Sequence, residues 1–296
     1  MLAHCHEQRW PVVVQGGLTG LAGGATPQPG ELAMSLERLT GIEAVDASSG
    51  HMIVKAGTTL AVTQAVASEH KMDFPLDLGS RGSCSIGGNI ATNAGGNRVI
   101  RHGMTRGLVL GLEAVLADGT VLTSLGALVK DNAGYDLKQL FIGTEGTLGV
   151  VTRATLRLSS EPVERLTALV ALTSFDDLVA LLATLRRRIG PSLSAFEAMW
   201  DGYFECAIAT TGSARPFSER HAFYALVEME SLDVAADRAR LEAVLSEVLD
   251  GGTARDAIIA SSLHESARLW RIRECAGEVI VRLAPAATYD ISLPLG

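Results

Sequence analysis

The stretch from Pro75 to Asn97, PLDLGSRGSCSIGGNIATNAGGN, constrains this chain more than any other. Glycine fills positions 79, 82, 87, 88, 95 and 96, interleaved with Ser80, Ser83, Ser85, Asn89, Thr92 and Asn93. A segment so poor in large apolar side chains cannot form a core of its own. Glycine admits φ > 0 and close backbone approach, while hydroxyls, amides and free N–H groups supply short hydrogen-bonding arms. The ligand that suits such a surface is long, polar and anionic. A plain surface loop is the alternative for any single Gly-Ser-Asn cluster. This stretch is too long and too spare of charge for an ordinary turn, and long loops in compact domains are usually functional or disordered. Ile86, Ile90 and Ala91 argue that it is anchored and buried.

The 296 residues are 47% hydrophobic, with a mean hydropathy of +0.24, enough for a sizeable core and for two domains. A net charge of −8 and a pI near 5.4, with no Lys/Arg-rich run, argue against nucleic acid or an anionic membrane surface as partner. Cys5, Cys84, Cys206 and Cys275 are far apart and form no CxxC, so neither a zinc site nor a disulfide framework is indicated, and a reducing compartment is expected. No apolar run reaches the length of a membrane span, and the N-terminus lacks a signal-peptide layout. The expectation is a cytoplasmic protein without a membrane span. MLAHCHEQRW reads as the end of an amphipathic helix entered without a cap, and YDISLPLG stops just after an apparent strand, so both ends read as cut.

Val12-Val13-Val14 feeds directly into Gln15-Gly16-Gly17-Leu18-Thr19-Gly20-Leu21-Ala22-Gly23-Gly24. A strand opening into a glycine loop is a common setting for a phosphate cradle, because successive N–H groups can converge on one anion. The spacing is not GxGxxG, Pro27, Pro29 and Gly30 forbid a helix behind the loop, and no GK[ST] follows. Strands are expected at 31–36, 41–46 and 51–56, and a helix at 60–70. Further strands at 108–116 and 121–123 meet at the hairpin signal Asp118-Gly119. A polar loop, Lys130 to Leu137, leads to a short helical piece at 138–141. The glycine cluster IGTEGTLGVV then enters a last strand ending at Leu158. Three glycine clusters thus flank strands of one domain, and a ligand spanning all three is larger than a mononucleotide.

VVVQGGLTGLAGG, PLDLGSRGSCSIGGNIATNAGG and KDNAGYDLKQLFIGTEGTLGVVT together resemble the PCMH-type flavin-binding domain of the vanillyl-alcohol-oxidase superfamily, over about residues 5 to 158. Within it they are most similar to the D-2-hydroxyglutarate and D-lactate dehydrogenases. The resemblance implies an α+β fold: an FAD-binding domain of two αβ subdomains at 1–159, lacking its first strand and part of its first helix, then an incomplete ferredoxin-like substrate or cap domain at 160–296. It implies FAD held by Gln15, Gly16, Gly17, Leu18, Thr19 and Gly20 around the pyrophosphate. Pro75, Gly79, Ser80, Gly82, Ser83, Gly87, Gly88, Asn89, Thr92, Asn93, Gly95 and Gly96 would line the extended cofactor, and Gly149 and Val150 would touch its ribityl or ring region. Flavin-linking relatives often carry His in the first loop; this chain has none there, so the FAD is expected to be non-covalent.

After the boundary at Ser159-Ser160-Glu161-Pro162 glycine becomes sparse. A strand at 165–172, a helix from a capping Ser174 to about Ile189, a strand at 222–229, a helix at 234–249 capped by Asp233, and an apolar run at 257–260 suggest a split βαβ layout. Ser194-Ala195-Phe196-Glu197 and Leu269-Trp270-Arg271-Ile272-Arg273-Glu274 carry the resemblance further, to the cap domain, and it implies that Arg273 contacts the substrate carboxylate. The implied reaction takes a hydride from the hydroxyl-bearing carbon of a D-2-hydroxy acid to flavin N5 and passes the electrons to an unidentified acceptor. The implied base and metal ligands, in an HxGDGNxH segment and a later glutamate, fall beyond Gly296. No catalytic or metal residue is therefore assigned here, and a divalent metal such as zinc is expected only in a full-length enzyme. Thr288 stands where close relatives carry lysine and Gly277 where they carry threonine, which leaves the choice of 2-hydroxy acid open. A homodimer is compatible with the family. The rival expectations are a flavin oxidase on the same scaffold acting on another alcohol, and a flavin-binding fragment without activity.

Overall fold

A computed structural model describes residues 1–294. The chain divides into two compact units, Met1–Glu161 and Pro162–Gly296.

In the first unit, α1 (Leu2–Gln8) starts without a side-chain cap and ends at Arg9 in the left-handed region. β1 (Val12–Gln15) pairs in parallel with β2 (Leu32–Ser35). The prolines of the intervening loop leave it without a helix. β3 (Ile42–Asp46), β4 (His51–Lys55), α2 (Leu60–Glu69) and β5 (Met72–Asp73) follow, with Thr59 accepting from Val62 N–H to cap α2. Then come α3 (Ile86–Ala91), α4 (Val99–His102), α5 (Thr105–Leu108), β6 (Val109–Val115), β7 (Val121–Ser124), α6 (Lys138–Phe141), β8 (Val150–Arg157) and β9 (Ser159–Ser160). The main sheet runs β3-β4-β8-β6-β7, antiparallel throughout, and β5 pairs with β9. The Asp118-Gly119 hairpin joins β6 to β7, with Gly119 at φ 89°. Met52, Val54, Leu60, Phe74, Ile86, Ile90, Leu112 and Leu156 form the core, so the glycine-rich stretch is fastened to the sheet by its own isoleucines.

The second unit reads β10 (Glu164–Leu172), α7 (Phe175–Arg188), β11 (Leu193–Trp200), α8 (Asp201–Thr211), β12 (Phe223–Ser231), α9 (Val234–Asp250), β13 (Asp256–Ile259), α10 (Leu263–Glu274) and α11 (Ala276–Arg282). Ser174, Asp233 and Ser262 cap α7, α9 and α10 through their side chains. The sheet order β11-β12-β10-β13, antiparallel throughout, is that of a ferredoxin-like βαββαβ unit. β11 and α8 lie outside the elements expected from sequence; with β11 present, all four strands are in place. α8, α10 and α11 bring Phe204, Ala207, Leu269, Ile272 and Val279 onto Leu169, Tyr224 and Leu226 of the sheet. The strand expected in YDISLPLG is not formed: residues 285–294 have no regular structure, and the last two residues of that motif lie outside the described residues.

Candidate functional site

Contacts among glycines bring the three clusters of the first unit together. The loop leaving β1 lies on the central stretch. A Cβ on Gly17 would overlap the Ser83 carbonyl oxygen and stand 2.9 Å from Cys84 Cα, and one on Gly16 would meet the Ser85 hydroxyl. The third cluster closes on both. Gly143 N–H donates to Ile90 O at 3.1 Å and Glu145 N–H to Ala91 O at 2.9 Å. Gly146 packs on Val14, and the Glu145 carboxylate lies against Gly24.

The central stretch folds into a turn, a short helix and a second turn. Ser83 and Cys84 N–H groups both donate to Ser80 O, and Ser85 then caps α3 by accepting from Gly88 N–H at 3.3 Å. Gly87 allows α3 to lie on Ala56, whose carbonyl accepts from Gly87 N–H at 2.7 Å. Asn89 is buried with its amide against Cys84 Sγ, and Thr92 Oγ1 donates to Gly88 O. Gly96 rests on the backbone of Asp77, a buried carboxylate gripped by Arg81 at 2.8 Å and Arg98 at 3.1 Å. Gly95 faces Met104. Pro75 is buried at the entry to the stretch.

Two features are left over from protein packing. The main-chain N–H groups of Gly17, Leu18, Thr19 and Gly20 donate to no main-chain carbonyl among the described residues. A Cβ on Gly20, Gly79 or Gly82 meets nothing within 4 Å, so no protein neighbour requires glycine at these places. Successive unpartnered N–H groups around a left-handed residue form an anion-binding concavity. Leu18, at φ 54°, is such a residue, and it is 64% exposed. Asn93 (φ 48°) and Glu145 (φ 53°) hold the same conformation, one in each of the other two clusters. Left-handed backbone in side-chain-bearing residues concentrates at ligand sites. The residues present therefore fit the cofactor: a pyrophosphate-like group matches the open N–H groups, and the uncrowded glycine faces leave room for an extended ligand.

Gly149 and Val150 lie where the third cluster enters the main sheet. Gly149 is buried against Phe141 and the Val115 carbonyl, and Val150 pairs with Val115 in the main sheet. Arg106 and Glu145 also belong to the site, though neither is among the residues expected from sequence. The Arg106 guanidinium donates to Gln139 and Ile142 carbonyls while its N–H donates to Asn93 Oδ1, so it fastens the third cluster to the second. Their position beside glycine clusters was the available signal.

In the second unit, Arg273 Nε donates to Glu197 Oε2 at 2.5 Å. The two short motifs that carried the weaker resemblance thus meet, one from β11 and one from α10. Tyr203 Oη donates to the carbonyls of Ile272 at 3.1 Å and Arg273 at 2.8 Å. Burial pushes the Tyr203 phenol and the Cys275 thiol upward from their ordinary values. Among the described residues no three His, Cys, Asp or Glu side chains group as a metal site, and no helix is long and apolar enough to cross a membrane.

A glycine cradle for an extended anionic cofactor, followed by a ferredoxin-like cap, defines a flavin-binding oxidoreductase architecture. Residues 1–124 match the FAD binding domain model, and residues 161–296 match the C-terminal domain model of FAD linked oxidases. The chain belongs to the FAD-linked oxidases. It is 41% identical over 295 residues to the mitochondrial D-2-hydroxyglutarate dehydrogenase of Bos taurus, covering all of this chain and 54% of that protein. The D-2-hydroxyglutarate dehydrogenase of Xanthomonas citri pv. viticola is 43% identical over 280 residues, covering 95% and 58%. A putative mitochondrial D-lactate dehydrogenase of Schizosaccharomyces pombe is 36% identical over 296 residues, covering 100% and 56%. The chain spans little more than half the length of these curated relatives. Among solved structures, alkyldihydroxyacetonephosphate synthase in two crystal forms superposes with TM-scores of 0.70 and 0.76 at 15% and 17% identity, over 92% and 94% of this chain and 52% and 53% of the other. That likeness is one of fold.

Proposed function

We propose that this chain belongs to an FAD-dependent dehydrogenase that oxidises a D-2-hydroxy acid, of the 2-hydroxyglutarate or lactate class, to the 2-oxo acid. The observation that carries the proposal is the convergence of three glycine clusters on one cradle, in a chain about two-fifths identical throughout to relatives so named.

Within this reading the open N–H groups of Gly17 to Gly20 hold the pyrophosphate, and Gly79, Ser80, Gly82, Ser83, Gly88, Thr92 and Asn93 line the path of the cofactor. Gly16, Gly87, Gly95 and Gly96 let the backbone layers approach one another. Gly149 and Val150, at the start of a strand of the main sheet, touch the ribityl or ring region of the cofactor. FAD is held without a covalent bond, since the loop from Gln15 to Gly24 offers no histidine or cysteine to form one. Bound FAD supplies a two-electron acceptor for a hydride. Arg273 holds the substrate carboxylate, because a guanidinium presents paired donors to both oxygens. A divalent metal finds no donor set among the described residues, and no step is assigned to one. The four cysteines are unpaired, which suits a reducing compartment.

The test is anaerobic reduction of the FAD-loaded full-length protein by D-2-hydroxyglutarate and D-lactate, with the L-isomers as controls and an artificial dye as acceptor. Bleaching of the flavin band by a D-isomer alone is the expected result. No reduction by either D-acid, with reoxidation by oxygen after addition of another alcohol, would assign the scaffold to an oxidase of different specificity.

A further inference from the structure

Arg273 is paired in an unusual way for a surface ion pair. Its ion pair is made side-on, through Nε, to one oxygen of Glu197, and its guanidinium also lies beside the Tyr203 hydroxyl. The other edge of the guanidinium, with Nη1 and Nη2, makes no ion pair among the described residues. An arginine that merely neutralises a glutamate on a solvated face commonly uses its fork end, and such exposed pairs contribute little. Here the glutamate side chain is 19% exposed and the arginine 31%, so the pair is half-sheltered and the fork end is what remains available.

The backbone beneath it is held as well. Arg273 lies in the last turn of α10, where carbonyls lack intrahelical donors. The Tyr203 hydroxyl shares its one proton between two of them, on Ile272 and, at the shorter distance, Arg273 itself, and the Cys275 thiol also donates to Ile272. Tyr203 stands at the start of α8, immediately after the strand that carries Glu197. One strand-to-helix element therefore grips both the main chain and the side chain of the arginine. We infer that Glu197 and Tyr203 are positioning residues: they fix Arg273 so that its Nη1/Nη2 edge, which makes no ion pair, forms a preset carboxylate site. This rests on the reading of Arg273 as the substrate-carboxylate residue. It adds that the affinity of that arginine depends on two groups that never touch the substrate.

The geometry separates orientation from charge. Glu197→Gln keeps an oxygen to accept from Nε while removing a negative charge beside the site, so it should bind an anion as well as the parent or more tightly. Glu197→Ala removes the acceptor and frees the side chain to rotate, and a misplacement of about 1 Å can cost ten- to a hundredfold. Tyr203→Phe deletes only the hydroxyl and should act in the same direction, more weakly. The experiment is calorimetric titration of the FAD-loaded full chain with D-2-hydroxyglutarate for the parent, these three variants and Arg273→Met. Thermal melts alongside confirm that each variant is folded, and the Gln and Phe changes preserve shape where Ala fails to fold. The expected order is Gln at least equal to the parent, Phe weaker, Ala weaker still, and Met without measurable binding. If Arg273→Met loses binding while all Glu197 and Tyr203 variants bind like the parent, the positioning role is overturned and the carboxylate reading stands. If Arg273→Met binds like the parent, or the parent does not bind, the carboxylate reading falls and takes this inference with it.

Discussion

Replacing Gly17 by alanine tests the packing of the first loop on the central stretch. The added Cβ would lie 2.7 Å from the Ser83 carbonyl carbon and 2.9 Å from Cys84 Cα. Ordinary carbon contact begins near 3.4 Å, so the layers must part by at least 0.7 Å (3.4 − 2.7) and 0.5 Å (3.4 − 2.9) at these two atoms. Both are backbone atoms, and Cys84 and Ser85 are buried, so no flexible side-chain tip can yield instead. Overpacking of this kind costs about 1–3 kcal/mol. The displaced loop should also lose at least about tenfold in FAD affinity, or ~1.4 kcal/mol. Gly20→Ala is the counterpart: its Cβ meets no protein atom, so apo stability should stay within about 0.5 kcal/mol. If the cofactor fills that space, FAD binding should still weaken. Urea unfolding of the apo chain and fluorescence titration with FAD read the two quantities separately. A Gly17→Ala protein as stable as the parent, or a Gly20→Ala protein with unchanged FAD affinity, would refute the cradle as described.

Leu18→Gly removes left-handed strain of about 1–2 kcal/mol at the cost of about 0.5–1 kcal/mol of chain entropy, and sacrifices little burial; denaturant melts should show a gain of ~0.5 kcal/mol, and a loss above ~1 kcal/mol would contradict it. Hydrogen bonds from Arg153 chiefly hold the Glu113 carboxyl below its ordinary value of 4.5. A depressed carboxyl contributes stability above that value and loses it as pH falls, so Glu113→Gln should flatten the acid limb of a stability profile below about pH 4.5. Burial raises the Cys275 thiol from its ordinary value of 9.0, so its contribution is present below that pH and lost as pH rises past it. Iodoacetamide near pH 7.5 should label Cys206 first and leave Cys5, Cys84 and Cys275 intact, as mass spectrometry would show.

What the sequence revealed was set by how local each feature is. The Asp118-Gly119 hairpin, the capped helices at Ser174 and Asp233 and the glycine clusters depend on neighbouring residues, and they were legible. The helix α3 was not, because IGGNIA holds two glycines and scores poorly as a helix. It forms because Ser85 caps it and because Ile86 and Ile90, one turn apart, sink into the core beside Ala56. The strand β11 lacks clean alternation, with Leu193, Ser194 and Ala195 all buried in succession around a bulge, so period two was hidden. The Glu197–Arg273 pair joins residues far apart in the chain, and only the assembled sheet and helices bring them within reach. The closing apolar alternation of Tyr289, Ile291 and Leu293 favoured a strand, yet these side chains are exposed and unpaired with any sheet. Alternation alone supplies no hydrogen-bonding neighbour.

The most direct measurement is an absorbance spectrum of the purified chain titrated with FAD and then precipitated with acid. The expected result is saturable binding with perturbed flavin bands, and complete release of the flavin into the supernatant, as a non-covalent site requires. A folded chain that leaves the spectrum of free FAD unchanged would contradict the cradle, and flavin retained in the precipitate would contradict non-covalent binding.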